Sequence, residues 1–190
     1  LRGAVTPESA VKPVLPYAIS KWASERYVLH ARKRGRVKVA SIARFFGAYG
    51  PYEAERKIYG RLVRQFAFDR APKFTIRGDG RNLIDAMYVD DAVRAIHAIV
   101  AKASDTRIFD LASGSPLTLK MLVEQAAQAF DIAPEIELQG EVPEYIEFRS
   151  GDRTMETEFG FKPAIGLADG LHRFRDWIAR NKTPQGSPAA

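Results

Sequence analysis

The chain has 190 residues, 46% of them hydrophobic and 27% charged, which is the composition of a folded domain with room for one substantial core or somewhat more. It has no cysteine, which excludes disulfides and thiolate metal sites, and no apolar run near the roughly 18 residues of a membrane span. The net charge is +6, and part of it clusters at Arg32, Lys33, Arg34, Arg36 and Lys38. Cations there complement a helix C-terminus, and the cluster lacks the interleaved aromatics of a nucleic-acid surface. His30, His97 and His172 are too scattered for a metal site. No signal peptide is visible, so a cytoplasmic location is the default expectation.

Residues 1–15 hold Pro7 and Pro13 without periodicity and are expected to be a loop. Pro16 suits the first turn of a helix that Gly35 stops. Residues 37–46 predict a strand, 47–52 a turn, and 57–70 an amphipathic helix ended by Pro72. A strand is expected at 73–78, a turn at 78–82, and a short strand at 86–89. Asp90 or Asp91 then caps a helix to about Lys102. A strand at 107–112 precedes a helix capped by Thr118, then a strand at 135–139 and a helical turn within 153–160. Leu167 to Asn181 carries one apolar face and predicts the last helix. Alternating strands and helices make the class α/β.

One short motif bears on chemistry. Tyr17 and Lys21 are four residues apart in PYAISK, so they share a helix face. A phenol that is to act as a base at neutral pH needs roughly 4 kcal/mol of preference for its phenolate form. One cation about 6 Å away, at an effective dielectric of about 20, supplies roughly 3 kcal/mol. Such a pair suits proton transfer coupled to hydride transfer at an alcohol carbon. The spacing also arises by chance in amphipathic helices, so the pair alone decides nothing.

The order of the neighbouring motifs decides more. After the Tyr–Lys helix come ARFFGAYGP, GDGRNLIDAMYVDDAVRAI, FDLASGSPLTLKMLV and GFKP. Together they resemble the C-terminal half of the extended short-chain dehydrogenase/reductases, the NAD-dependent epimerase/dehydratase family. The resemblance implies a Rossmann-like doubly wound parallel sheet with a smaller α/β substrate lobe. Residues 1–50 would be the remainder of the main domain. Residues 51–181 would be mainly substrate lobe, with 85–112 returning to the main domain, and 182–190 a disordered tail. Tyr17 would be the acid/base, while Lys21 would favour the phenolate and hold the nicotinamide ribose. Phe46 would lie against the nicotinamide end of the cofactor, NAD or NADP. The implied substrate contacts are Gly47, Arg77, Arg81, Ile84 and Asp85. Trp22, Tyr27 and Val28 lie on the helix through which such enzymes pair as homodimers; packing on the chain's own sheet is the alternative.

Two departures qualify the resemblance. No glycine-rich dinucleotide turn occurs in this sequence, and Thr6 and Ser9 stand too near Tyr17 to be the family's catalytic Ser or Thr. The dinucleotide-binding half is therefore expected as a missing partner, and this segment alone is expected to be inactive. The family's sugar-nucleotide members carry Asn at position 47, Arg at 84 and an aromatic near 77; here these are Gly47, Ile84 and Arg77. Three functions follow. One is an epimerase, dehydratase or reductase of a sugar nucleotide. The second is a 3β-hydroxysteroid-like or other small-alcohol dehydrogenase, which Gly47 and Ile84 favour. The third is a non-catalytic interaction fragment. No metal, nucleic-acid or membrane partner is implied.

Overall fold

The computed structural model describes residues 2–142 and 145–181. The expected tail at 182–190 lies outside the described residues. α1 (Pro16–Lys33) begins with Pro16 at its first turn and ends just before Gly35, whose φ of 71° only glycine adopts without strain. It leads to β2 (Ser41–Phe45), shorter than the 37–46 expected. β2 pairs in parallel with β7 (Arg107–Leu111), so that Ile42 faces Ile108 and Arg44 faces Asp110. A parallel pair requires a crossover. This one runs through residues 46–106 and includes α3 (Val89–Lys102).

Parallel pairing recurs. β4 (Lys73–Arg77) pairs with β9 (Glu135–Gln139), and β3 (Ala48–Tyr49) with β6 (Met87–Tyr88). β5 (Leu83–Ile84) and β8 (Leu117–Thr118) form an antiparallel contact. The stretch expected as loop contains β1 (Arg2–Val5), parallel to β10 (Glu147–Ser150). Four residues that include a glycine carry no readable alternation, and the partner lies at the far end of the chain. β3 likewise falls inside the expected 47–52 turn.

Two apolar cores result. The larger is built from α2 (Ile58–Leu62), its π-helical continuation Val63–Phe68, α4 (Leu119–Gln128) and α6 (Leu167–Asn181). Leu62, Val63, Phe66, Phe74, Leu122 and Phe174 are among its large, fully buried side chains. Within it Tyr49 stacks on Tyr59 at 4.0 Å between ring centroids, and Tyr88 meets Tyr49 edge-on at 5.6 Å. A methyl group at Gly170 of α6 would overlap the Tyr49 hydroxyl. The smaller core joins Ala92, Ala95 and Ile99 of α3 to Phe109, Leu111, Met155 and Phe161. Met155 belongs to α5 (Thr154–Thr157).

The caps divide as follows. Thr118 accepts from the Met121 N–H at 3.2 Å, as its position predicts. Asp90 and Asp91 do not cap α3: Tyr88 occupies that position and both acids lie in the first turn. Asp91 is fully buried and accepts from the Ala164 and Ile165 N–H groups, each at 2.9 Å, and from Arg94. Reading a cap from an Asp pair fails because long-range backbone donors compete for the same carboxylate.

Replacing buried Asp91 with Ala leaves the Ala164 and Ile165 N–H groups without their acceptor, and is expected to lower stability by roughly 3 kcal/mol in urea unfolding. A loss below about 1 kcal/mol would show that water satisfies those donors. Glu53 gives a pH signature. Its Oε2 is buried without a partner among the described residues, and burial pushes its carboxyl up to about 7 against the pull of Lys57. A raised acid binds its proton more tightly in the native state, so it costs stability as pH rises from about 4.5 to about 7. Glu53→Gln is expected to stabilise the protein at pH 8, with the gain vanishing below pH 4. A pH-independent difference would contradict this.

Candidate active site

Tyr17 and Lys21 lie on α1, and the Lys21 Nζ stands 5.4 Å from the Tyr17 ring centroid. They share one face as the spacing requires. Tyr17 is 73% exposed, and no residue of α1 is buried. Trp22, Tyr27 and Val28 are also exposed, Tyr27 most of all. The pair therefore faces outward and lines none of the cavities described next.

Beyond the end of β2, the Phe46 N–H donates to the Leu111 carbonyl at 2.9 Å, and its ring meets Phe148 of β10 edge-on at 6.0 Å. Gly47 follows, and its carbonyl accepts from Met87. A Cβ at Gly47 would come within 2.8 Å of the Ala86 Cβ. Glycine at 47 is thus a steric consequence of Ala86. Ile84 and Ala86 wall a cavity of about 360 Å³ whose floor is the Tyr49–Tyr59 stack. Burial pushes both phenols far up, so they stay neutral. No described residue lining this cavity carries a charge.

Asp85, by contrast, lines a larger cavity of about 610 Å³. Its Oδ1 accepts from the Ser113 hydroxyl at 2.5 Å and the Gly114 N–H at 3.1 Å. This fixes the loop after β7. The same cavity gathers residues that the sequence patterns did not flag: Asp110, Arg149 of β10, and Asp152. Burial pushes the Asp110 carboxyl up to about 6, opposed by the Arg44 charge. Asp152 accepts from the Asp110 and Thr154 N–H groups. Only the unrecognised strand β10 could have signalled Arg149. Arg77 and Arg81 stand apart from both cavities; the Arg81 guanidinium lies 3.8 Å from the Tyr145 ring centroid and pairs with Asp79. Gly47, Ile84 and Asp85 are thus brought together, while the two arginines and the Tyr–Lys pair are not among their neighbours.

The family model described as the NAD dependent epimerase/dehydratase family matches residues 2–112, the segment holding α1, Gly47 and Asp85. The chain belongs to that family. A dTDP-glucose 4,6-dehydratase of Streptomyces griseus is 30% identical over 191 residues, which is 92% of this chain and 55% of that protein. A probable UDP-glucuronate 4-epimerase of Rhizobium meliloti (strain 1021) is 28% identical, over 92% of this chain and 56% of its own length. Among solved structures, MoeE5 in complex with UDP-glucuronic acid and NAD superposes with a TM-score of 0.81 at 25% identity, covering 96% of this chain and 61% of that one. The chain spans about half the length of the curated relatives it matches. The α/β class and the Rossmann-like relationship expected from the motif order hold. Among the described residues no helix is long and apolar enough to cross a membrane, and no cluster of acids or histidines is placed to hold a metal.

The contact between Gly47 and Ala86 makes a prediction. Gly47→Asn is expected to lower the melting temperature, and adding Ala86→Gly to recover most of the loss. A Gly47→Asn protein as stable as its parent would show that β3 and β6 separate freely at this point.

Proposed function

We propose that this chain is the half of an NAD-dependent enzyme that carries the proton-transfer pair and the substrate lobe, and that the whole enzyme acts on a sugar nucleotide. The observation that carries the proposal is the Tyr17–Lys21 pair, placed on one outward face inside the segment the family model matches. The chain's relatives are named as dehydratases and epimerases of dTDP- and UDP-sugars. The nicotinamide, when bound, supplies hydride acceptance and return at the sugar carbon. The pair fits that cofactor, since the Tyr17 ring is exposed among the described residues and the Lys21 ammonium stands beside it.

The residues then divide the work. Tyr17 takes the proton of the substrate hydroxyl as its carbon is oxidised, and returns one later. Lys21 stabilises the charge on the phenol oxygen and holds the ribose. Phe46 and Gly47 form the wall next to the reacting sugar. Ile84 cannot pair with a diphosphate, and Arg149, which lines the cavity beside Asp85, is the cation that takes over that contact. Apolar side chains remain uncovered on α1, on α3 (Val93, Ile96 and Val100) and at Phe45 of β2. They are the seats for a dinucleotide-binding half and, on α1, for a second copy of the enzyme.

A second reading draws on the uncharged cavity. Ile84, Ala86 and Leu117 around a neutral tyrosine floor suit a small uncharged alcohol, as in hydroxysteroid-like dehydrogenases. Competition separates the two: a sugar nucleotide protects the protein from thermal unfolding under the first reading, and only an uncharged alcohol does so under the second.

Tyr17→Phe removes the proton acceptor without altering packing, because the ring is exposed. With NAD and dTDP-glucose or UDP-glucuronic acid, the complete enzyme is expected to lose at least about a hundredfold in turnover. Unchanged turnover would take Tyr17 out of the mechanism.

A further inference from the structure

Exposed as it is, α1 has little hydrophobic packing to set its rotation on the sheet. One contact does so with directional bonds. The Arg44 Nε donates to Glu25 Oε1 at 2.8 Å and its Nη2 to Glu25 Oε2 at 2.7 Å, a two-pronged pairing. Its remaining nitrogen, Nη1, reaches the Pro7 carbonyl at 3.3 Å. One guanidinium on β2 thereby ties down both α1 and the segment that leads into it. Both side chains are largely buried, at 21% exposure for Arg44 and 14% for Glu25, so solvent screens the pair less than a surface ion pair.

Glu25 has a telling position on the helix. Tyr17, Lys21 and Glu25 follow at intervals of four residues and form one inclined row, about 12 Å long at ~1.5 Å per residue. Fixing the last member fixes the azimuth and height of the other two. We propose that Arg44 and Glu25 are positioning residues, a clamp that sets where the Tyr17 hydroxyl and the Lys21 ammonium stand relative to the sheet. The inference rests on Tyr17 and Lys21 being the proton-transfer pair. Neither clamp residue touches the reacting atoms.

The acidic surroundings of Arg44 explain why arginine is needed. Glu25 on α1, Asp110 on β7 and Glu8 in the preceding loop all act on the guanidinium and hold its pKa up. A planar fork engages Glu25 with two nitrogens and still presents a third to Pro7. A lysine keeps the charge and loses that geometry.

The test is a double-mutant cycle in the complete enzyme with NAD and dTDP-glucose or UDP-glucuronic acid, combining Arg44→Lys, Glu25→Gln and Tyr17→Phe. Each clamp variant is expected to lower kcat by about tenfold or more, because misplacement by an ångström costs on that scale, while KM stays within about twofold. Adding Arg44→Lys to Tyr17→Phe is expected to cost at most about a further twofold, because the clamp acts through Tyr17. Losses that multiply, or an Arg44→Lys enzyme with unchanged kcat, overturn the clamp. Glu25→Gln leaves Arg44 in place and serves where Arg44→Lys fails to fold. If Tyr17→Phe leaves turnover unchanged, it is the parent reading that falls. Amide exchange then decides the clamp: faster exchange over residues 17–25 in Arg44→Lys supports it, and unaltered exchange overturns it.

Discussion

A buried carboxylate ties together the two cavities' shared wall. Asp91, in the first turn of α3, receives two backbone N–H groups from the run 164–165 and a guanidinium from its own helix. The run it captures includes residues that line the smaller cavity, and Pro163 beside them lines both. α3 in turn carries Ala92, Ala95 and Ile99 into the core that Phe109 and Phe161 complete. The loop before α6 is therefore pinned to the helix that crosses over to β7. A buried charge is tolerated at this point because its oxygens are fully supplied with donors.

The cavity walls and α1 are held by different means. Cavity walls are set by apolar cores and by backbone donors on Asp91 and Asp85. α1 is tied to β2 by the Arg44–Glu25 ion pair, and its apolar side chains are exposed. Most helices in folded proteins draw their stability from a packed face. An 18-residue helix without a buried residue departs from that pattern. The parallel β2–β7 pair has the same character, since parallel sheets are normally covered on both faces and Phe45 is not.

Legibility in the sequence followed local physics. Helices with a Pro start, a Gly stop or a strong apolar stripe, such as α1, α4 and α6, were readable to within a residue or two. So was β4, whose burial alternates. Apart from β6, short strands were not: β1, β3, β5 and β10 are two to four residues long and exist because a distant partner does. Chemistry behaved alike. Tyr17 and Lys21 are neighbours on one helix and could be paired from spacing alone. The partnership of Arg44 with Glu25 needs β2 to lie under α1, and that of Asp85 with Ser113 needs β5 to lie near the loop after β7. The reason for Gly47 lies 39 positions on, in the methyl group of Ala86.

Gly170 shows how little material can set a register. Its lone hydrogen leaves room for the Tyr49 phenol, and Tyr49 holds the face of Tyr59 on one side and the edge of Tyr88 on another. α6 can seat in one place only, because sliding it by a turn would drive a larger side chain into that ring. A helix interior loses about 1 kcal/mol to a glycine. In return the aromatic floor beneath the smaller cavity keeps a constant depth, and whatever enters there meets a surface whose height is fixed by an atom that is absent.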